Sequence, residues 1–236
     1  MVRTIDVAFR FEEVEVGNDY GAAAVIDTLR ATTTMIALME RGVLAIRPVA
    51  SLAEAYAFKE KDPRLLLGGE RNNRPPEGFD GGNSPYDWPQ ERVLQRRLVY
   101  TTTNGTAAID RARAIPRLVL AALTNAEAAF RYLWSLERPV LVVASGTKGQ
   151  VALEDVLAAG AMAVHWPRES RTDRAEMAAA LFLQNQHDIG NAVRQSRHGR
   201  ELAEMGLGRD LDYAAQLNTT RVVPVLSQDG WIRAVD

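Results

Sequence analysis

The sequence predicts an α/β protein built on a largely parallel or mixed sheet with helices on its faces. Three observations carry that prediction. Short apolar runs alternate with segments at helical spacing from residue 22 to residue 164. Capping residues and glycines stand where one pattern gives way to the next. The 236 residues, 47% of them hydrophobic and 25% charged, make a chain long enough to bury a substantial core as one large domain.

The elements follow in order. Ala22–Ile26 is an unbroken apolar run, the mark of a strand covered on both faces. Thr33–Arg41 is the first helix, with Met35 and Met39 as core filler and Gly42 as its stop. Val43–Val49 is a strand, and Ser51–Lys61 is a helix opened by a Ser51/Glu54 capping box. Leu65–Leu67, Leu98–Tyr100, Leu118–Leu123 and Val140–Ala144 continue the strands. Between and after them lie the helices Gln90–Arg96, Gly105–Arg113, Ala126–Leu136 with Asn125 as cap, and Val151–Val164. Gly68–Trp88 has neither period. A loop of that length inside a compact domain is functional or disordered, and its acids, arginines and aromatic residues favour function. Beyond Trp166 the pattern is helical through Met177–Gln184 and onward. Two strand-like pieces, Arg221–Leu226 and Trp231–Val235, close the chain; they either extend the sheet or belong to a small C-terminal lobe within 167–236 of the single domain 1–236.

Composition narrows the function. Lys plus Arg is 28 and Asp plus Glu is 30, a net charge of −2, which disfavours a nucleic-acid partner but allows a local arginine cluster for a small anion. The chain has no cysteine, which excludes disulfides, thiolate metal sites, iron–sulfur clusters and cysteine nucleophiles. The start, Met1 to Asp6, lacks the apolar run of a signal peptide. No apolar stretch approaches the ~20 residues of a membrane helix. A cytoplasmic protein without a membrane partner is the expectation.

Three strand-to-helix junctions share one composition: Val25 to Thr34, Tyr100 to Thr106, and Ala144 to Gln150. Each places hydroxyls and small residues where helix N-termini offer unpaired N–H groups and partial positive charge to an anion. Such residues are also ordinary caps, but three junctions together favour a phosphate or carboxylate pocket at the carboxyl ends of the strands. Thr32, Thr33, Thr103, Asn104, Gly105, Thr106, Ser145 and Gly146 are its candidate lining, with Asn83 and Ser84 supplied by the irregular loop.

Acids and arginines accompany these junctions. Asp27 ends a strand beside Arg30, Glu70 and Arg71 open the loop, and Glu154 and Asp155 begin a helix, where they also complement its dipole. Asp27, Glu70 and Asp155 are the candidate catalytic carboxylates and Mg²⁺ ligands, since Mg²⁺ takes one or two carboxylates together with water and phosphate oxygens. Arg30 and Arg71 suit bidentate recognition of phosphate or carboxylate, and Arg71 is alternatively a loop brace paired with Asp80 or Asp87. His165 reads as a helix-end residue and His187 as exposed. His198, in Arg197-His198-Gly199-Arg200, either turns its imidazole with Arg200 toward an anion or caps the surface. Walker, dinucleotide and nucleophile-elbow motifs are absent. Asp27-Thr28-Leu29 lacks the second aspartate of haloacid-dehalogenase-like phosphatases.

A more specific likeness emerges from several segments in order. Val25 to Thr34, Gly68-Gly69-Glu70-Arg71, Gly78 to Pro85, Thr101 to Thr106, Ser145-Gly146 with Glu154-Asp155, His198-Gly199-Arg200 and Val222 to Leu226 together resemble the 2-phosphosulfolactate phosphatase family over residues 21–232. The resemblance implies a family-specific three-layer α/β/α fold and a Mg²⁺-dependent phosphatase. It also implies release of phosphate from 2-phosphosulfolactate, giving sulfolactate on the route to coenzyme M.

The leading expectation is therefore a Mg²⁺-dependent phosphomonoesterase acting on a small phosphorylated 2-hydroxy acid, with either water or Asp27 as the attacking group. A non-catalytic binder of phosphorylated metabolites is the alternative from another class. A third reading is a hydrolase of a different ester, using Ser145 and His198. The oligomeric state is open; the Ala-rich helices suit either a homo-oligomer face or packing within one chain.

Overall fold

Each apolar run forms a strand in the computed structural model, which describes residues 3–15 and 19–235. Met1 and Val2 of the chain start read above lie outside the described residues. The strands are β1 (Ile5–Ala8), β2 (Ala22–Ile26), β3 (Ala45–Pro48), β4 (Leu66–Gly69), β5 (Arg97–Thr101), β6 (Leu118–Ala121), β7 (Val140–Ala144), β8 (Val223–Leu226) and β9 (Ile232–Val235). The helices are α1 (Ala31–Glu40), α2 (Leu52–Lys61), α3 (Gln90–Val93), α4 (Gly105–Ala112), α5 (Ala126–Ser135), α6 (Leu153–Ala163), α7 (Asp173–Asn185), α8 (Ile189–Gln195), α9 (Arg197–Glu204) and α10 (Gly208–Ala214).

Strand β1 escapes a pattern search because Asp6 interrupts its apolar residues. The acid is tolerable because distant groups satisfy it. Asp6 accepts from Tyr20 Oη at 2.7 Å, Thr172 Oγ1 at 2.6 Å and Arg174 Nη2 at 2.5 Å. Burial raises its pKa, but these bonds outweigh it and leave the carboxyl below its ordinary range.

Local signals otherwise behave as read, with one exception. Gly42 takes φ +87°, and Gly42 N–H and Val43 N–H return to Met39 O and Leu38 O to close α1. Ser51 Oγ accepts from Glu54 N–H at 3.2 Å. Asn125 does not cap α5. Its Oδ1 accepts from Ala122 N–H at 2.9 Å, and its Nδ2 donates to Val222 O at 2.9 Å, pinning β6 to the chain entering β8. That bond across the fold outcompetes the local cap.

The sheet order is β1-β7-β2-β6-β8-β9-β3-β5-β4. The first four strands are mutually parallel, as are the last three, and β8 and β9 join the groups through antiparallel pairs on both sides. The C-terminal strands thus enter the middle of the sheet. Their insertion reverses the sense of β3, β5 and β4 relative to β2, so a flat sheet would send the two sets of carboxyl ends to opposite edges. Twist of about 20–25° per neighbouring pair accumulates to about 120–150° over the six steps from β2 to β4. A rotation of that size offsets most of the reversal, and α1 and α4 share one apolar cluster with side chains of β2 to β7.

The other face carries α5, α6 and α7 over Ile5, Val7, Ala22, Ala24, Val140 and Val142, which completes three layers. Helices α6 and α7 approach closely because Gly160 faces the backbone of Ala178. A Cβ at Gly160 would lie 2.0 Å from Ala178 O. Gly160→Ala is therefore expected to destabilise by about 1–3 kcal/mol through overpacking, lowering the melting midpoint by roughly 2–12 °C. An unchanged calorimetric midpoint would contradict this packing.

Candidate active site

Asp27 stands at the junction of β2 and α1 and is 5% exposed. Its Oδ1 accepts from Ala31 N–H at 3.1 Å, the first turn of α1. Its backbone N–H donates to Thr32 Oγ1 at 2.9 Å, and Thr32 Oγ1 in turn lies 2.8 Å from Ala121 O. Thr33 Oγ1 donates to Thr28 O at 2.9 Å. The hydroxyls of Thr32 and Thr33 thus brace the junction from within.

The second junction closes on the same carboxylate. A Cβ at Gly105, the first residue of α4, would lie 2.7 Å from Asp27 Oδ2 and 2.5 Å from Ala31 Cβ. Only glycine lets α4 come this near. Alanine is the better helix former, yet Gly105→Ala must displace Asp27 or α4. Displacement on the scale of 1 Å costs about 10²-fold in turnover, so kcat/KM of this variant is expected to fall by about that factor with secondary structure intact by circular dichroism. Wild-type kinetics would refute the contact. Thr106 continues the brace: its N–H donates to Thr102 Oγ1 and its Oγ1 to Thr102 O, at 3.2 and 2.8 Å. Thr103 and Asn104 lie nearer the surface, and Asn104 makes no side-chain cap.

Two further acids tie the junctions together. Asp155 Oδ1 accepts from Thr28 N–H at 2.8 Å, and its Oδ2 accepts from Ser145 Oγ at 3.0 Å and Gly146 N–H at 3.1 Å. Glu70 Oε1 accepts from Thr103 N–H and its Oε2 from Asn73 N–H, both at 2.9 Å. Glu154 is buried beside Asp155. Burial, with the charges of Glu70 and Glu154, pushes the Asp27 carboxyl up to about 7. Burial and the charges of Asp27 and Glu154 hold Asp155 well above the usual carboxylate range. The cluster is short of positive charge.

That shortage bears on a metal. Among the described residues no group of three or more His, Asp or Glu is placed to hold an ion, so Asp27, Glu70 and Asp155 do not form a three-carboxylate cage. Mg²⁺ needs only one or two carboxylates beside water and phosphate. Asp27 fits that smaller demand, because its Oδ2 faces Gly105 while the oxygens of Glu70 and Asp155 already accept backbone N–H bonds.

The arginines divide. Arg30 and Asp210 form a pair at 2.5 Å with side chains 3% and 4% exposed, and Ser84 Oγ donates to the other Asp210 oxygen at 2.7 Å. Arg30 Nη2 also donates to Asn73 O at 3.3 Å. Arg71 forms neither expected brace: it donates to Glu70 O at 2.6 Å and Thr101 Oγ1 at 2.9 Å. Asp80 instead pairs with Lys59 and Arg92, and Asp87 accepts from Gly82 N–H. Asn83 Oδ1 accepts from Tyr100 Oη at 2.9 Å, and Trp88 Nε1 donates to Gly82 O at 3.1 Å. These bonds order the 68–88 loop that delivers Glu70, Asn83 and Ser84. Arg200 is exposed and donates to Gln195 O; no hydrogen bond ties it to the carboxylates.

Ser145 and His198 do not form a dyad. Ser145 Oγ donates to Asp155, while His198 Nδ1 lies 3.2 Å from Thr147 Oγ1, and His198 is buried rather than a surface cap. Sequence reasoning missed Asp210, whose surroundings carry no local signal, and did not single out Thr147 although it lies in the Ala144 to Gln150 junction. It passed over Glu154, whose place beside Asp155 in a first helical turn was the available clue.

A buried acid cluster gripped at strand-to-helix junctions marks the candidate active site of this α/β protein. The family profile described as 2-phosphosulpholactate phosphatase matches residues 9–229. A probable 2-phosphosulfolactate phosphatase of Deinococcus radiodurans is 42% identical over 208 residues, covering 86% of this chain and 87% of its own. Proteins of the same name from Parasynechococcus marenigrum and Pseudothermotoga lettingae are 41% and 36% identical, covering 91% and 97% of this chain and 92% and 98% of their own. The chain belongs to the 2-phosphosulpholactate phosphatase family and is a phosphoric monoester hydrolase.

Proposed function

We propose that the protein hydrolyses 2-phosphosulfolactate to sulfolactate and inorganic phosphate, with Mg²⁺ as cofactor. The observation that carries this reading is Asp27: a buried carboxyl at the N-terminal turns of α1 and α4, in a cluster lacking positive charge, in a chain whose relatives bear that substrate's name. Water supplies the new oxygen to phosphorus, the bond from phosphorus to the C2 oxygen breaks, and that oxygen takes a proton. Burial and the charges of Glu70 and Glu154 push the Asp27 carboxyl up to about 7, an unfavourable charge that a bound cation relieves. Asp27 is the first candidate to hold Mg²⁺, with one of Glu70 and Asp155 as a second. When bound, the ion supplies Lewis-acid neutralisation of the phosphate charge. Arg30, oriented by Asp210, presents its remaining N–H groups to the anion.

Among the described residues no helix is long and apolar enough to cross a membrane. A cytoplasmic setting belongs to the proposal, because a multiply charged phosphate ester does not enter a bilayer unaided. The small anion, rather than a nucleic acid, is the partner that suits a net charge of −2.

Phosphate release is the test. Purified protein given 2-phosphosulfolactate with Mg²⁺ is expected to liberate phosphate, and phospholactate, which lacks the sulfonate, to react more slowly. Full activity in excess chelator would remove the metal from the proposal. No release from either ester under any metal condition would remove the substrate class.

A further inference from the structure

Among the described residues three buried side-chain polar atoms lack any hydrogen-bond partner: Thr124 Oγ1, Trp166 Nε1 and His198 Nε2. Such orphans are rare enough in folded proteins that each asks for an explanation. Of the three, His198 lines a cavity together with Glu154, the neighbour of Asp155 in the carboxylate site. It is 8% exposed, and its Nδ1 is engaged by Thr147 Oγ1 at 3.2 Å, which leaves the far ring nitrogen free. Thr147 directly follows Ser145 and Gly146, the two residues that grip Asp155.

His198 lines a cavity of about 110 Å³ together with Thr147, Glu154 and Arg197. Water occupies about 30 Å³ in the liquid, so the space admits a group larger than one water. Its donors suit an oxyanion. Arg197 spends one N–H on Thr147 O at 3.2 Å. Burial, with the charges of Arg30 and Lys148, keeps the imidazole neutral, which leaves it one N–H to donate; Glu201 and Glu70 pull the other way.

The geometry points to His198 as a specificity-determining residue: its Nε2–H receives the carboxylate or sulfonate of a substrate whose phosphate lies at Asp27. This rests on the proposal that the substrate is a phosphorylated acid, and it adds which side chain reads the acid end. The cavity shares Glu154 with the acid cluster, the charge of Glu154 reaches Asp27, and His198 in turn feels the charges of Arg30 and Glu70. A compact hydroxy acid with a second anionic group therefore reaches both.

Binding without turnover tests the inference apart from hydrolysis. Wild-type protein and His198→Asn are titrated calorimetrically with sulfolactate, lactate and inorganic phosphate, and the imidazole ¹⁵N signals of the wild type are followed in parallel. Asparagine can keep the contact near Nδ1 while removing the reach of Nε2. Sulfolactate is expected to shift the His198 ring signals and to bind His198→Asn about 10–100-fold more weakly, the worth of one hydrogen bond to a charged group. Phosphate affinity is expected to stay within about twofold. The same loss for lactate assigns the contact to the carboxylate, and loss for sulfolactate alone assigns it to the sulfonate. The inference is overturned by unchanged sulfolactate affinity, by an equal loss for phosphate, by silent ring signals, or by failure of sulfolactate to bind the wild type. Should the variant misfold, the wild-type ring signals decide alone.

Discussion

Asp27→Asn is expected to reduce turnover at least about 10²-fold, the cost of losing one preorganised electrostatic group from an active site, while making the protein more stable above pH 7. The two effects share one cause. Asp27 titrates at about 7 in the fold against 3.8 as an ordinary side chain. Between those values the folded state binds more protons than the unfolded chain, so stability falls as pH rises from about 4 to about 7, and the whole deficit is present above that. Asparagine can keep the acceptor for Ala31 N–H and carries no charge. A shift of this size corresponds to about 4 kcal/mol, or roughly 8–16 °C in melting midpoint. The gain should be near zero at pH 4 and largest at pH 8. Mg²⁺ should raise the midpoint of the wild type far more than that of the variant, by linkage to a ligand bound only in the fold. Equal Mg²⁺ stabilisation of both proteins would take Asp27 out of the metal site. A midpoint difference independent of pH would refute its burial as a charged group.

Asp210→Asn is expected to destabilise instead. Its partner Arg30 is 3% exposed and would keep a full charge with no carboxylate against it. Breaking a buried pair from one side costs about 3–5 kcal/mol, which lowers the melting midpoint by roughly 6–20 °C. Removing both charges, as Arg30→Met with Asp210→Leu, should recover most of that stability and none of the activity, since buried pairs replaced by apolar groups are often neutral. Calorimetry and phosphate release on the two proteins separate a stabilising pair from an anion clamp. An Asp210→Asn midpoint within 1 °C of wild type would show the pair to be dispensable.

The sequence alone placed Ala22–Ile26 and Val140–Ala144 to the residue, because four or five consecutive apolar side chains between polar junctions have few uses besides a doubly covered strand. It also marked Asp27, Glu70 and Asp155 as companions, and the folded chain brings them into mutual electrostatic contact. Those features are local: a strand end, a capping residue and an acid at a junction are all visible within ten residues of one another.

Partners were decided only by the tertiary structure. Nothing within ten residues of Asp6 announces that Arg174, Thr172 and Tyr20 will satisfy it, so β1 was invisible. Asp210 is one more acid on a short helix until α10 carries it to Arg30, across 180 positions of chain. Thr32 and Thr33 read equally well as phosphate ligands or as braces, and their geometry makes them braces. The insertion of β8 and β9 in the middle of the sheet reversed β3, β5 and β4 relative to β2, yet Glu70 after β4 still comes close enough to act on the charge of Asp27 after β2. Apolar periodicity tells a residue that it will be buried. Which distant group meets it there depends on a competition among all the surfaces of the chain, settled only when the chain closes on itself.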